Sequence, residues 1–133
     1  AKVVTGNDHI ITSDQRDIFK QYWYSKFPLN ALPELEELVE TSMTTENFNK
    51  VKQPTLLLYY YKNEKEQDHV VSVKAMQEMF SQLGTPEKVK RETAIPNAGD
   101  HVIGGAIVSK DIESVKKENE KFATEILNMT SQN

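Results

Sequence analysis

The run VKQPTLLLYYYKN, residues 51–63, decides how this chain is read. After Pro54 come six apolar or aromatic residues without a break: Leu56, Leu57, Leu58, Tyr59, Tyr60 and Tyr61. A strand with one wet face would alternate polar with apolar. A continuous apolar run of this length is the pattern of a strand in a parallel sheet, covered on both faces. The three tyrosines are accordingly read as strand core rather than as a ligand platform.

Beyond this strand lies a polar loop, KNEKEQDH, and then a helix in VVSVKAMQEMFSQLG. Val73, Met76, Phe80 and Leu83 recur at i, i+3, i+7 and i+10, Gly84 suits the C′ position, and Pro86 ends the helix. KVKRETAIP, residues 88–96, reads as a second strand, and NAGDHVIGG, residues 97–105, as a glycine-punctuated loop. The last helix, residues 109–129, sets Ile112, Val115, Phe122 and Ile126 on one face, with Ser109 or Asp111 as its cap. Strand, helix, strand, helix is a βαβα unit, whose ordinary outcome is a parallel sheet. Two strands alone make a marginal sheet, and their open edges are templates for further pairing. The expectation is a piece of a larger sheet, or a chain that associates.

The N-terminal side has another texture. Residues 1–12 carry little pattern. Ser13 and Asp14 offer capping oxygens for a helix through DQRDIFKQYWYSKF, with Ile18, Tyr22 and Trp23 on its apolar side and Pro28 as its stop. NALPELEELVETSM, residues 30–43, predicts a second helix capped by Asn30, with Leu32, Leu35, Leu38 and Val39 in one stripe. No strong strand is expected here. The division is thus a helical segment over 1–50 and a βαβα part over 51–133.

Composition narrows the function. With 38% hydrophobic and 27% charged residues and a net charge of −4, the chain has no basic surface for nucleic acid or anionic lipid. No apolar run approaches the roughly 20 residues that span a bilayer. The absence of cysteine excludes disulfides, thiolate metal sites and a cysteine nucleophile. The N-terminus lacks the features of a signal peptide. The compartment stays open, with cytoplasmic as the default.

Each of the three histidines follows an aspartate: Asp8 and His9, Asp68 and His69, Asp100 and His101. Side chains of neighbouring residues in extended backbone point opposite ways, so such a dipeptide is a poor chelate. A zinc site from His9, Asp68 and His101 is the metal alternative, but no metal or cofactor is expected. In open α/β sheets functional groups gather in the loops after the strands. Adjacent parallel strands would bring the loop of Asp68 beside the loop of His101, pairing a carboxylate with an imidazole that acts as general base. Asp68 also has a structural reading as a helix N-cap, Glu64 and Glu66 are rival acids in its loop, and His101 has a reading as an ordinary loop histidine.

These residues, VKQPTLLLYYYKNEKEQDHVVSVKAMQEMFSQL followed by IPNAGDHVI, resemble the closing segment of the α/β-hydrolase fold, a doubly wound α/β sheet. The resemblance spans roughly residues 15–130 and concentrates in 51–103. It implies that Asp68 is the triad acid and His101 the triad histidine, that residues 17–40 are a lid-like helical segment, and that the reaction is hydrolysis of a carboxylic ester or related acyl bond of a small molecule. The family places its serine in Gly-x-Ser-x-Gly ahead of the acid and histidine. None of the five glycines here flanks a serine in that pattern. The chain is therefore expected to be the C-terminal part of a serine hydrolase, inactive alone, that pairs with its missing N-terminal part or forms a homo-oligomer. The alternative is a non-catalytic α/β interaction module associating through its sheet edges.

Overall fold

The computed structural model describes residues 9–130, in two compact units that divide at Thr45. In the first unit, β1 (His9–Ile11) and β2 (Lys26–Pro28) form an antiparallel pair, with Ile10 opposite Phe27. The Thr12 N–H bond to the Ser25 carbonyl extends it by one step. This corrects two expectations, the lack of pattern in 1–12 as far as residues 9–12 are described, and a helix through 14–27. The helix there is a single turn, α1 (Asp17–Lys20), whose N-cap residue is Arg16 without a capping side chain. Asp14 is drawn off to the Arg16 backbone N–H (3.0 Å) and guanidinium (2.6 Å), so it caps nothing. Beyond the turn, the aromatic run favours extended backbone over helix, and Pro28 is tolerated at a strand with a free side. α2 (Ala31–Ser42) forms as expected with Asn30 at its N-cap, although the Asn30 side chain makes no capping bond. Its stripe of Leu32, Leu35, Leu38 and Val39 is exposed.

The second unit is a mixed α/β structure built on a small parallel sheet. β3 (Thr55–Tyr59) pairs in parallel with β6 (Lys90–Ala94), Thr55 opposite Lys90 and Tyr59 opposite Ala94. Between them lie a hairpin of β4 (Tyr61–Asn63) and β5 (Glu66–Gln67), the helix α4 (Val73–Ser81), and a 3-10 turn at Glu87–Val89. α3 (Thr45–Lys50) precedes the sheet and α5 (Ile112–Glu125) follows it. The expected polar loop after β3 is thus partly a hairpin, because Asn63 Oδ1 accepts the N–H groups of Lys65 and Glu66 and turns the chain.

Alternation along the strands explains why an unbroken apolar run was needed. On one face the Tyr59 hydroxyl donates to Glu92 (2.6 Å), Gln77 of α4 bonds both, and the Lys90 ammonium lies 5.1 Å from the Phe80 ring centroid. Burial and the Glu92 carboxylate push the Tyr59 phenol up to about 12, so it remains a donor. On the other face Tyr60, Ile95, Ala98 and Val115 form a buried cluster that Leu58 and Ile103 complete, and Arg91 pairs with Glu125 of α5 at 2.6 Å. The two helices cover opposite faces of the sheet.

Helix ends follow local chemistry. Ser72 caps α4, its Oγ accepting the Ala75 N–H, so the helix starts at Val73 and not at Val70. Asp111, one of the two expected candidates, caps α5 by accepting the Ser114 N–H. Gly84 does not serve as a left-handed C′ residue. It is needed for close approach: a Cβ there would lie 2.2 Å from the Asn49 carbonyl oxygen. Among the described residues no helix is long and apolar enough to cross a membrane.

Candidate active site

The loops after β3 and β6 hold Asp68 and His101, the acid and histidine singled out by the sequence. After β3 the hairpin returns the chain to its starting point, where the Asp68 N–H donates to the Tyr60 carbonyl at 3.0 Å. Asp68 is thereby held beside the core, its side chain only 2% exposed. After β6 the Ile95 N–H donates to the Tyr59 carbonyl at 2.8 Å, continuing the ladder, and Ile95 and Ala98 bury themselves completely or nearly so. The Lys110 N–H bond to the Ala98 carbonyl (2.9 Å) closes the base of the intervening loop. His101 stands in that loop.

The two loops meet through one hydrogen bond, His101 Nδ1 to Asp68 Oδ2, at 2.5 Å. The other carboxylate oxygen, Oδ1, accepts the N–H groups of Val70 (2.8 Å) and Val71 (2.9 Å). Burial works to raise the Asp68 carboxyl, but the bonds from His101, Val71 and Val70 outweigh it and hold the group below its ordinary value. Asp68 is therefore a buried carboxylate kept ionised by three donors. The His101 side chain is 39% exposed, and its only hydrogen bond among the described residues is the one through Nδ1. A carboxylate on Nδ1 selects the tautomer with the proton there and leaves the Nε2 lone pair available to accept a proton.

The other candidates lie elsewhere. Asp8 falls outside the described residues. His9 belongs to β1 of the first unit, opposite Pro28. His69 is exposed, and Asp100 accepts the Val102 N–H at 3.0 Å rather than facing an imidazole. Glu64 is bonded to the Tyr61 hydroxyl, and Glu66 to Lys62 and Asn63, so neither rival acid meets His101. Among the described residues no three histidine, aspartate or glutamate side chains converge as metal ligands. The capping reading of Asp68 gives way to a turn of its own, with Ser72 capping the helix.

Sequence reasoning missed the two N–H groups that hold Asp68. The signal was present, since an aspartate readily accepts from the backbone two and three residues ahead of it. The sequence places Gly99 two residues ahead of this histidine, in the glycine-punctuated loop, but does not show its left-handed backbone, φ +72°. Comparison with known proteins adds no relative: no family model, curated protein or solved structure matches the chain.

Proposed function

We propose that this chain supplies the acid and the general base of an acyl hydrolase of the α/β-hydrolase fold. Asp68 orients and stabilises the His101 imidazole, and His101 takes a proton from a serine hydroxyl as that hydroxyl attacks the acyl carbon of a small-molecule ester. The serine and the oxyanion donors belong to polypeptide outside this chain. The observation that carries the reading is the side-chain bonding of His101: Nδ1 to a buried carboxylate, and Nε2 without a partner among the described residues at a half-exposed position. That division of labour between the two ring nitrogens is what a triad histidine requires.

The test is His101→Ala in a protein that joins this chain to its nucleophile-bearing part, assayed on a simple carboxylic ester. Turnover is expected to fall by a factor on the order of 10⁴ or more. Full activity in that variant sinks the assignment. A Gly-x-Ser-x-Gly motif between a strand and a helix in the coding sequence upstream supports it.

A specific observation favours a second reading, an α/β module that associates through its sheet. The Ile95 bond to Tyr59 fixes the phase of the β3–β6 ladder. Thr55, Leu57 and Tyr59 turn their backbone groups towards β6, so Leu56 and Leu58 turn theirs to the opposite edge. No described residue pairs with those groups. An unpaired edge bearing leucines is a template for another strand.

A further inference from the structure

Among the described residues only Gly99 and Asn128 have a left-handed backbone, and Gly99 lies two positions before His101. Its surroundings isolate it. The preceding residue, Ala98, is 0% exposed, with its N–H on the Ile95 carbonyl (3.3 Å) and its carbonyl on the Lys110 N–H (2.9 Å). The following stretch is folded on itself: Asp100 Oδ1 accepts the Val102 N–H, and the Ile103 N–H bonds the His101 carbonyl at 3.0 Å. The change of chain direction between a fixed base and a folded tip is therefore concentrated in one residue. The atoms nearest a Cβ at Gly99 would be those of the Lys110 side chain, the closest its Cδ at 3.2 Å, which a flexible side chain can yield. The backbone angle, not the space, is what demands glycine.

We infer that Gly99 is a positioning residue for His101: its left-handed backbone delivers the imidazole to Asp68. This rests on reading the pair as a catalytic acid and base. The other side of the pair cannot adjust, because Asp68 is held by the Val70 and Val71 N–H groups and by its own N–H on Tyr60.

The test compares Gly99→Asn, Gly99→Ala and Gly99→Val in the full chain. Asn visits the left-handed region far more readily than Ala, and β-branched Val least of all. The readout is the far-downfield proton NMR signal of the His101 Nδ1–H shared with Asp68, recorded beside a thermal melt. Expected is retention of the signal in the Asn variant, weakening in Ala and loss in Val, in protein that still melts cooperatively. An unchanged signal in folded Ala or Val variants overturns the inference, as does equal loss in Asn and Ala. Should the Val variant fail to fold, the Asn and Ala pair decides alone. The signal exists without ester turnover, so this inference and the hydrolase reading fail separately.

Discussion

Asp68 carries a charge in a place where charge is costly, and three donors offset that cost. Two consequences belong to this one residue. The first is catalytic. Asp68→Asn keeps an acceptor for the valine N–H groups but presents an amide to His101, which favours the tautomer with the proton on Nε2. In the joined enzyme this should reduce turnover by about 10⁴, while Glu64→Gln and Glu66→Gln leave it near wild type. Comparable losses in all three would show that the acid has been misassigned. The second is thermodynamic. Asp68 titrates lower in the folded state than its unfolded value of about 3.9, so the unfolded chain binds more protons in that range. Its contribution is complete above about pH 4 and disappears as pH falls through the folded value. Urea titrations against pH should show a shallower acid decline for Asp68→Asn than for wild type. Identical slopes would mean that the carboxylate is not held as described.

At the scale of elements, α4 and α5 grip the sheet differently. α4 adds polar ties, Gln77 to Tyr59 and Glu92, to its buried Val73 and Phe80, and Ser72 caps it. α5 uses buried Val115 and Phe122. Phe122→Ala should cost about 3–5 kcal/mol, whereas Ser72→Ala, whose capping bond is a long 3.3 Å, should cost about 0.5–1 kcal/mol. Chemical denaturation orders the two, and the reverse order would contradict the placement of the core. The elements also mark the limits of sequence reading. β3, β6, α4 and α5 were legible because their apolar spacing is imposed by burial, and so was the meeting of Asp68 with His101, which follows from strand adjacency. The β1–β2 pair was not legible, since a three-residue strand has no period to detect. The hairpin of β4 and β5 was hidden for the same reason: its residues are polar, and Asn63 rather than burial turns it. The place of Gly99 before His101 was legible but its conformation was not, because glycine in a loop does not announce the sign of its φ.

For the whole molecule, the open edge of β3 sets the expected behaviour in solution. The β6 strand is built from charged Lys90, Arg91 and Glu92, tied within the unit to Glu87, Glu125 and Tyr59, whereas the β3 strand is leucine-rich and its Leu56 and Leu58 backbone groups turn to its open edge. Association is therefore expected through β3. Leu56→Pro removes an N–H that β6 does not use, at an edge position where proline is tolerated. Light scattering should give a larger particle for wild type than for this variant, with the parallel pair intact by circular dichroism. A compact monomer in the wild type would remove the support for edge pairing, whether with another copy or with a missing strand.

Gly104 stands in open space in the same loop as His101, with no atom of the described residues beyond its chain neighbours within 4 Å of where a side chain would begin, and the chain has no cysteine. A cysteine placed there would be the one thiol of this chain, three residues from the imidazole. It would accept a single fluorophore without competing labelling, turning the loop into an optical reporter of whatever docks over His101.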